Sequence, residues 1–261
     1  MECGNLQCEE IMSSGAELYL DLMKRTLTNT IYQDAPLPIG QQQVDGYQAA
    51  QREKGRDWPS VAHTMVGRVR LDYLERCMRQ VVEDEVPGDF IETGVWRGGV
   101  CIFMRSFLRA NDITDRRVWV ADSFQGIPDT NGSSHPLDVK LGLHNANSVL
   151  GVSIEQVREN FERYDLLDDQ VVFLEGWFRD SLPAAPVRSL AVLRLDGDLY
   201  ESTMDALVNL YPKLSVGGFV IVDDHILPSC RQAIREFREA NGITDTIEHI
   251  DWTSIGWRRT G

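Results

Sequence analysis

Four aspartates close two apolar runs. In "LAVLRLDGDLYEST" (190–203) the run ends at Asp196 and Asp198, and in "GGFVIVDDH" (217–225) it ends at Asp223 and Asp224. A carboxylate buried without a partner is costly, and several crowded together repel one another. If the two runs are neighbouring strands, Asp196, Asp223 and Asp224 converge on one small volume, and a divalent cation there removes the conflict. An all-oxygen donor set without thiolate selects a hard ion, Mg2+ first, with Mn2+ or Ca2+ as alternatives. Asp198 lies two residues past Asp196 on the same side of an extended segment, which leaves it available to take a proton. The plainer reading is that an Asp at a strand exit caps the next helix. It serves for any one of these residues better than for three together.

A second constellation sits in "ETGVWRGG" (92–99), a glycine-containing turn between an apolar run and a helical stretch. Gly94 permits close approach of a ligand to the backbone, and Gly98-Gly99 ease the packing of helix on sheet. Trp96 occupies the middle position of the G-x-G-x-x-G pattern, which argues against a diphosphate lying over the loop. Asp122, which ends the next apolar run, is placed to accept hydrogen bonds from a ribose diol. A glycine turn beside an acidic ribose clamp points to an adenosine-type cofactor without a diphosphate. Glu92, under the turn, suits the ammonium and sulfonium of S-adenosylmethionine. Trp177 or Phe178 is available to cover the adenine face, with Gly176 leaving room for it. An ordinary tight turn, a capping Asp and core aromatics are the alternatives.

The elements that must hold these residues are legible as an alternation. Short strands are expected at 89–94, 117–124, 170–178, 189–198 and 217–224, with helices at 98–111, 153–165, 200–214 and 228–242. Strands separated by helices imply right-handed βαβ units and a parallel sheet. Runs such as "FVIV" and "LAVL" fit strands covered on both faces. "TDTIEHI" and "SIGWRRT" are joined too closely for a helical crossover, so an antiparallel pair is expected at the sheet edge. Ligands of such sheets bind beyond the carboxyl ends of the strands, where all the residues named above lie. Upstream, 15–29 and 63–86 show helical periodicity, and Pro87-Gly88 stops the second helix. The polar segment 30–60 and the loop 126–149 are candidate lids, the latter being long for a structureless connection. His135, His144 and His225 are candidate substrate contacts, with solvated loop histidines as the alternative.

The 261 residues suffice for one large α/β domain or two small ones, and 43% apolar with 25% charged residues is ordinary for a globular protein. A net charge of −14 disfavours a nucleic-acid partner or an anionic membrane face. Five scattered cysteines without C-x-x-C favour reduced thiols and a cytoplasmic setting over a disulfide framework or zinc site. The start, "MECGNLQCEE", lacks the apolar core of a signal peptide, and no apolar run reaches membrane-spanning length.

Taken together, "ELYLDLMKRTLTN", "HTM", "PGDFIETGVWRGG", "VWVADSFQG", "EGWFRDSLP", "LRLDGDLY" and "VIVDDH" make the chain, from about residue 16 to 259, resemble the macrocin O-methyltransferase (TylF) family. The resemblance implies a class I S-adenosylmethionine methyltransferase: a Rossmann-like α/β fold with a seven-stranded, mostly parallel sheet. Residues 1–86 would form a helical N-terminal extension and lid, and 87–261 the cofactor-binding domain, as one domain overall. It also implies methylation of a deoxysugar hydroxyl on an antibiotic glycoside, with the 4-hydroxyl of noviose as the expected position, using S-adenosylmethionine and Mg2+. In that reading Asp196, Asp223 and Asp224 hold the metal and Asp198 is the general base. Glu92, Thr93, Gly94, Val95, Trp96, Asp122 and Ser123 hold the cofactor with Gly176, Trp177 and Phe178, and Thr64 and Met65 close over its methionine end. Substrate choice is expected in 33–60 and 129–150, and a homodimer through the N-terminal helix is open.

The rival readings are weaker. "DGDLYEST" has the D-x-D-x-T form of a phosphatase nucleophile, but four strands precede it where that motif follows the first. A nicotinamide-dependent oxidoreductase lacks both the glycine spacing and a Y-x-x-x-K pair. A binding module without chemistry has no use for the full carboxylate set. Macrolide-sugar methylation and a catechol-type methyltransferase are the alternatives within the class, the latter typically using Lys where this chain has Asp198.

Overall fold

Residues of alternating parity on each strand face opposite sides of one sheet, and the two sides are separate apolar cores. On one side lie Phe90, Val118, Val120, Val192, Phe219 and Ile221 with the helical residues Leu20, Leu27, Leu74, Phe103 and Phe161; on the other lie Ile91, Trp119, Leu193, Val220 and Val222 with Leu207, Ile234 and Phe237. The computed structural model describes residues 14–38 and 46–261.

In chain order the elements are α1 (Gly15–Leu27), α2 (Ala49–Glu53), α3 (Arg68–Glu83), β1 (Asp89–Thr93), α4 (Gly99–Ala110), β2 (Val118–Asp122), α5 (Pro136–Leu141), α6 (Asn147–Leu150), α7 (Ile154–Arg163), β3 (Val171–Glu175), α8 (Phe178–Ser181), β4 (Leu190–Leu195), α9 (Tyr200–Leu210), β5 (Leu214–Val222), α10 (Pro228–Ala240), β6 (Glu248–His249) and β7 (Ile255–Arg258). The sheet order is β3-β2-β1-β4-β5-β7-β6, and β1 to β5 run parallel. β7 pairs antiparallel with both β5 and β6. Winding reverses between β1 and β4, so the crevice expected for a ligand opens at their carboxyl ends. The seven-stranded, mostly parallel sheet inferred from the alternation is therefore present, as is the antiparallel edge.

Three differences from the periodicity bear on the site. The helix expected over 63–86 begins only at Arg68. Residues 63–66 form an extended strap whose backbone is taken by long-range bonds: the His63 and Thr64 N–H groups donate to the Leu27 carbonyl at 3.0 and 3.2 Å, and Gly99 N–H donates to the His63 carbonyl at 3.0 Å. β3 stops at Glu175, and the next three residues turn into α8. The loop 126–149 holds α5, a 3-10 turn at Leu143–Ala146 and the start of α6. Two of the five cysteines, Cys3 and Cys8, and residues 39–45 of the candidate lid lie outside the described residues. Among those described, no helix is long and apolar enough to cross a membrane.

Candidate active site

β-strand alternation assembles the site before any loop does. Glu92 on β1 stands in register with Arg194 on β4, and Arg194 with Ile221 on β5. Two residues further on, Gly94, Asp196 and Asp223 continue the same face. One row of charged side chains thus crosses three strands under the sheet's carboxyl edge. Arg194 is its centre. With only 2% of its side chain exposed, it pairs with Glu92, with Asp196 at 2.6 Å and with Asp223. Arg70, reaching over from α3, pairs with the other oxygen of Asp223.

The carboxylates outnumber these two guanidiniums, and the surplus is concentrated where a ligand would sit. One oxygen each from Asp196, Asp223 and Asp224 lies within 4.8 Å of the others. Opposed ligands of Ca2+ stand about 4.6–5.2 Å apart and those of Mg2+ about 4.0–4.2 Å, so the span matches a hard ion, with a slight contraction for Mg2+. The donor set, carboxylates alone, fits the same class. Burial raises Asp196 above its ordinary carboxylate range, Asp223 adds to it, and Arg194 opposes. Asp224 and Asp198 are pushed well up by burial and by neighbouring carboxylates. Asp223 is the exception: burial opposes its ionisation, but Arg70 and Arg194 outweigh it and hold the group low.

Asp198 is aimed differently from the other three. It adopts φ 58°, a left-handed conformation uncommon outside glycine, and its N–H donates to Asp224 Oδ2 at 3.3 Å while its carbonyl accepts from Ser229 Oγ at 3.1 Å. The backbone is thereby fixed and the carboxylate left facing the cavity. Gly94 explains how closely the two exits meet. At φ 87°, a Cβ there would stand 1.8 Å from the Asp196 carbonyl oxygen. The glycine is required first by the approach of β4 to the turn.

The turn itself is held by Asp122, which accepts Val95 N–H at 2.7 Å on one oxygen and Phe124 N–H at 2.8 Å on the other. Trp96, at φ 47°, donates from its indole to the Val149 carbonyl at 2.9 Å, and Arg97 stacks 4.1 Å above its ring. Gly99 leaves room for the strap rather than the sheet: a Cβ would stand 2.4 Å from the His63 carbonyl oxygen. Glu92 has both oxygens engaged, one by Arg194 and one by the Cys101 thiol at 2.9 Å, and burial lifts it to about 7 against the pull of Arg194.

A cavity of about 750 Å3, large enough for a cofactor-sized ligand, joins these parts. Thr64, Met65, Glu92, Gly94, Val95, Trp96, Asp122, Ser123, Trp177 and Phe178 line it together with Asp196, Asp198, Asp223 and Asp224. Two expected cofactor contacts are absent from the lining. Thr93 has the parity of Ile91 and turns to the opposite face, where it is 1% exposed. Gly176 is drawn back by its N–H bond to the Asp122 carbonyl at 2.9 Å. His135, His144 and His225 are absent as well. His135 caps α5 and stacks on Tyr200 at 3.9 Å, and His144 faces Thr130 at 3.1 Å.

Sequence reasoning missed Arg194 and Arg70, although each leaves a trace. Arg194 is the one charge inside "LAVLRL", and Arg70 occupies a position on the apolar stripe of α3 shared by Leu74, Cys77 and Val81. A charge at an apolar-phase position is a buried charge, and a buried charge has a partner.

Residues 16–259 match the family model described as macrocin-O-methyltransferase (TylF). A Streptomyces olivaceus protein, 8-demethyl-8-(2,3-dimethoxy-α-L-rhamnosyl)-tetracenomycin-C 4'-O-methyltransferase, is 60% identical over 248 residues, covering 94% of this chain and 93% of its own. Demethyldecarbamoylnovobiocin O-methyltransferase of Streptomyces niveus is 54% identical over 250 residues, 95% of each chain. The solved structure of the O-methyltransferase NovP, 54% identical, superposes with a TM-score of 0.89 over 94% of this chain and all of that one. The chain is a class I S-adenosylmethionine-dependent O-methyltransferase and belongs to the macrocin-O-methyltransferase (TylF) family.

Proposed function

We propose that the chain methylates a hydroxyl of a deoxysugar on an antibiotic glycoside, with a divalent cation, Mg2+ first, held by Asp196, Asp223 and Asp224. The observation that carries this is the convergence of those three carboxylates at the cavity wall beside Asp198, whose own carboxylate is left free. The relatives named above act, by their names, on a rhamnosyl-tetracenomycin and on demethyldecarbamoylnovobiocin. The 4-hydroxyl of a rhamnose- or noviose-type sugar is the position we assign.

A bound hard cation supplies acidity to a hydroxyl beside it. The chain's residues do the rest. Asp198 accepts the hydroxyl proton; Asp223, kept ionised by Arg70 and Arg194, holds the corner negative. The turn 92–96 and Asp122 fix the cofactor end, Asp122 facing the ribose. Trp177 and Phe178 cover the adenine, and Thr64 and Met65 close the methionine side. S-adenosylmethionine held there would supply a sulfonium methyl; charge would be partly cancelled in its transfer, so positioning by these residues would outweigh oxyanion stabilisation.

The test is chelation with a panel of acceptors. EDTA is expected to abolish methyl transfer to a rhamnosyl or noviosyl glycoside, and added Mg2+ to restore it. Undiminished turnover in EDTA would remove the cation from the proposal. Preferential turnover of a catechol or a macrolide sugar would reassign the acceptor.

A further inference from the structure

The part of the cavity beside β5 and β7 is roofed by the turn that follows α2. Gly55, Arg56, Asp57 and Trp58 line it from above, with Trp252 and Thr253 at its edge. The cofactor turn and Asp122 lie on β1 and β2, on the other side of the carboxylate row. The roof therefore stands over the half left for the acceptor.

Besides Arg52, which holds Asp57, and the Leu37 N–H bond to the Trp58 carbonyl at 2.6 Å, three contacts seat this roof over the cavity. Gly55 and Gly67 meet so closely that a Cβ on Gly67 would stand 2.3 Å from the Gly55 amide nitrogen. The Trp252 indole N–H donates to the Lys54 carbonyl at 2.8 Å, and the Arg56 guanidinium sits 5.1 Å from the Trp252 ring centre. The third contact is Arg70, 5% exposed, which donates through Nη2 to the Gly55 carbonyl at 3.1 Å while Nη1 engages Asp223. Its Nε faces Asp251 Oδ2 at 3.1 Å without hydrogen-bond alignment. The directional bonds of this buried guanidinium are thus divided between the roof and the floor of the cavity.

We propose that Arg70 is a positioning residue that sets the roof turn 53–58 above Asp223 and so shapes the acceptor half of the cavity. The assignment rests on the acceptor reading above. Arg suits the task because its planar fork reaches two partners in fixed directions, where a Lys ammonium is a single point on a flexible stem. Losing a hydrogen bond from a charged donor weakens binding by about tenfold or more when the geometry it held is needed by the ligand.

The test compares Arg70→Lys, which keeps the charge beside Asp223, with Trp252→Phe, which cuts the roof from its other support and leaves Arg70 alone. Both are expected to raise the acceptor KM, Arg70→Lys by about tenfold and Trp252→Phe by less. The affinity for S-adenosylhomocysteine, measured by calorimetry, should stay within about twofold of the parent, since a lost neutral contact that the ligand does not feel costs little. Trypsin should also cut faster after Lys54 and Arg56 in the S-adenosylhomocysteine-bound variants, because cleavage follows the open population of the roof. An unchanged acceptor KM, or a cofactor affinity that falls in parallel, overturns the proposal. If the parent enzyme turns over no glycoside, the acceptor reading fails by itself, and the trypsin rates in the cofactor-bound protein still decide for or against Arg70. Should Arg70→Lys not fold, Arg70→Gln replaces it in the same assays, and an unchanged acceptor KM with unaltered cleavage there overturns the proposal.

Discussion

Two buried arginines organise this molecule, and their surroundings differ in one respect. Arg52, 1% exposed, holds the N-terminal arm: Nε donates to Asp57 at 2.9 Å, Nη1 to Asp34 at 2.7 Å and to the Thr28 carbonyl at 2.9 Å, and Nη2 to the Asp34 carbonyl at 3.0 Å. Asp34 spends its remaining lone pairs on Val61 N–H, Ala62 N–H, Ser60 Oγ and Asn29. Burial alone would raise Asp34, but Arg52, Val61 N–H and Asn29 together take it down to about 2. Only Asp57, which borders the cavity, is raised, by burial that Arg52 does not fully offset. Arg194 is equally buried yet outnumbered. It serves Glu92, Asp196 and Asp223, while Asp198 and Asp224 pair with no guanidinium among the described residues and are pushed well up. A cluster that is satisfied stabilises a fold; one left short of positive charge is prepared for something that arrives later.

Asp198→Asn breaks the comparison on the functional side. Removing a general base typically costs about 10^2–10^4 in rate. The substitution should lower kcat by that order in the presence of Mg2+, with S-adenosylhomocysteine affinity unchanged, because the backbone bonds to Asp224 and Ser229 persist. Near-parent kcat would show that the proton leaves by another route.

Arg52→Met breaks it on the structural side. Two carboxylates would lose their buried partner, a change that costs about 3–5 kcal/mol. Urea denaturation should show a loss of that size. The folded fraction should bind S-adenosylhomocysteine as the parent does, since Arg52 touches none of the cofactor side. A loss of cofactor affinity matching the loss of stability would mean that the two clusters are not separate systems.

The sequence discloses these two regions unequally, and chain separation is the reason. The strand exits are legible because parity and apolar runs are local, so Asp122, Asp196 and Asp223 appear where the alternation puts them, while Asp198 reaches the cavity through a left-handed residue past the strand. Thr93 fails by the same rule: its neighbours Glu92 and Gly94 face the cavity, and it cannot. The Arg52 cluster has no local signature, because Asp34 and Thr28 are remote from it in sequence and only the folded arm joins them. The false helical start at 63–67 has a similar origin. Its residues keep a helical pattern, but Leu27 and Gly99 claim their backbone groups. Arg194 and Arg70 were open to inference from phase alone, since a charge at an apolar position states that it is buried, though not with whom.

The smallest expected effect concerns the strap that joins the two regions. Val61 and Ala62 bind the Arg52 cluster through Asp34, and Thr64 and Met65 line the cavity. Between them His63 contacts Tyr164, with Nδ1 2.8 Å from its hydroxyl. Burial, reinforced by Arg163 and Arg97, lowers His63 from 6.5 to about 4. Between those values the unfolded chain binds the proton and the folded one does not, so stability rises with pH across the window and is lost as pH falls from 6.5 toward 4. Asp34, ionised down to about 2, acts in the same sense but only below its unfolded value of 3.8. Acidification should therefore loosen the strap while the Arg52 cluster is still intact. The measurement is the urea midpoint at pH 7 and pH 5 for the parent and for His63→Asn. The parent should lose more stability than the variant between the two, and hydrogen exchange at pH 5 should rise at 63–66 before it rises at 28–34. Equal pH dependence in both proteins would mean that His63 is solvated and that the strap joins the two regions without distinguishing them.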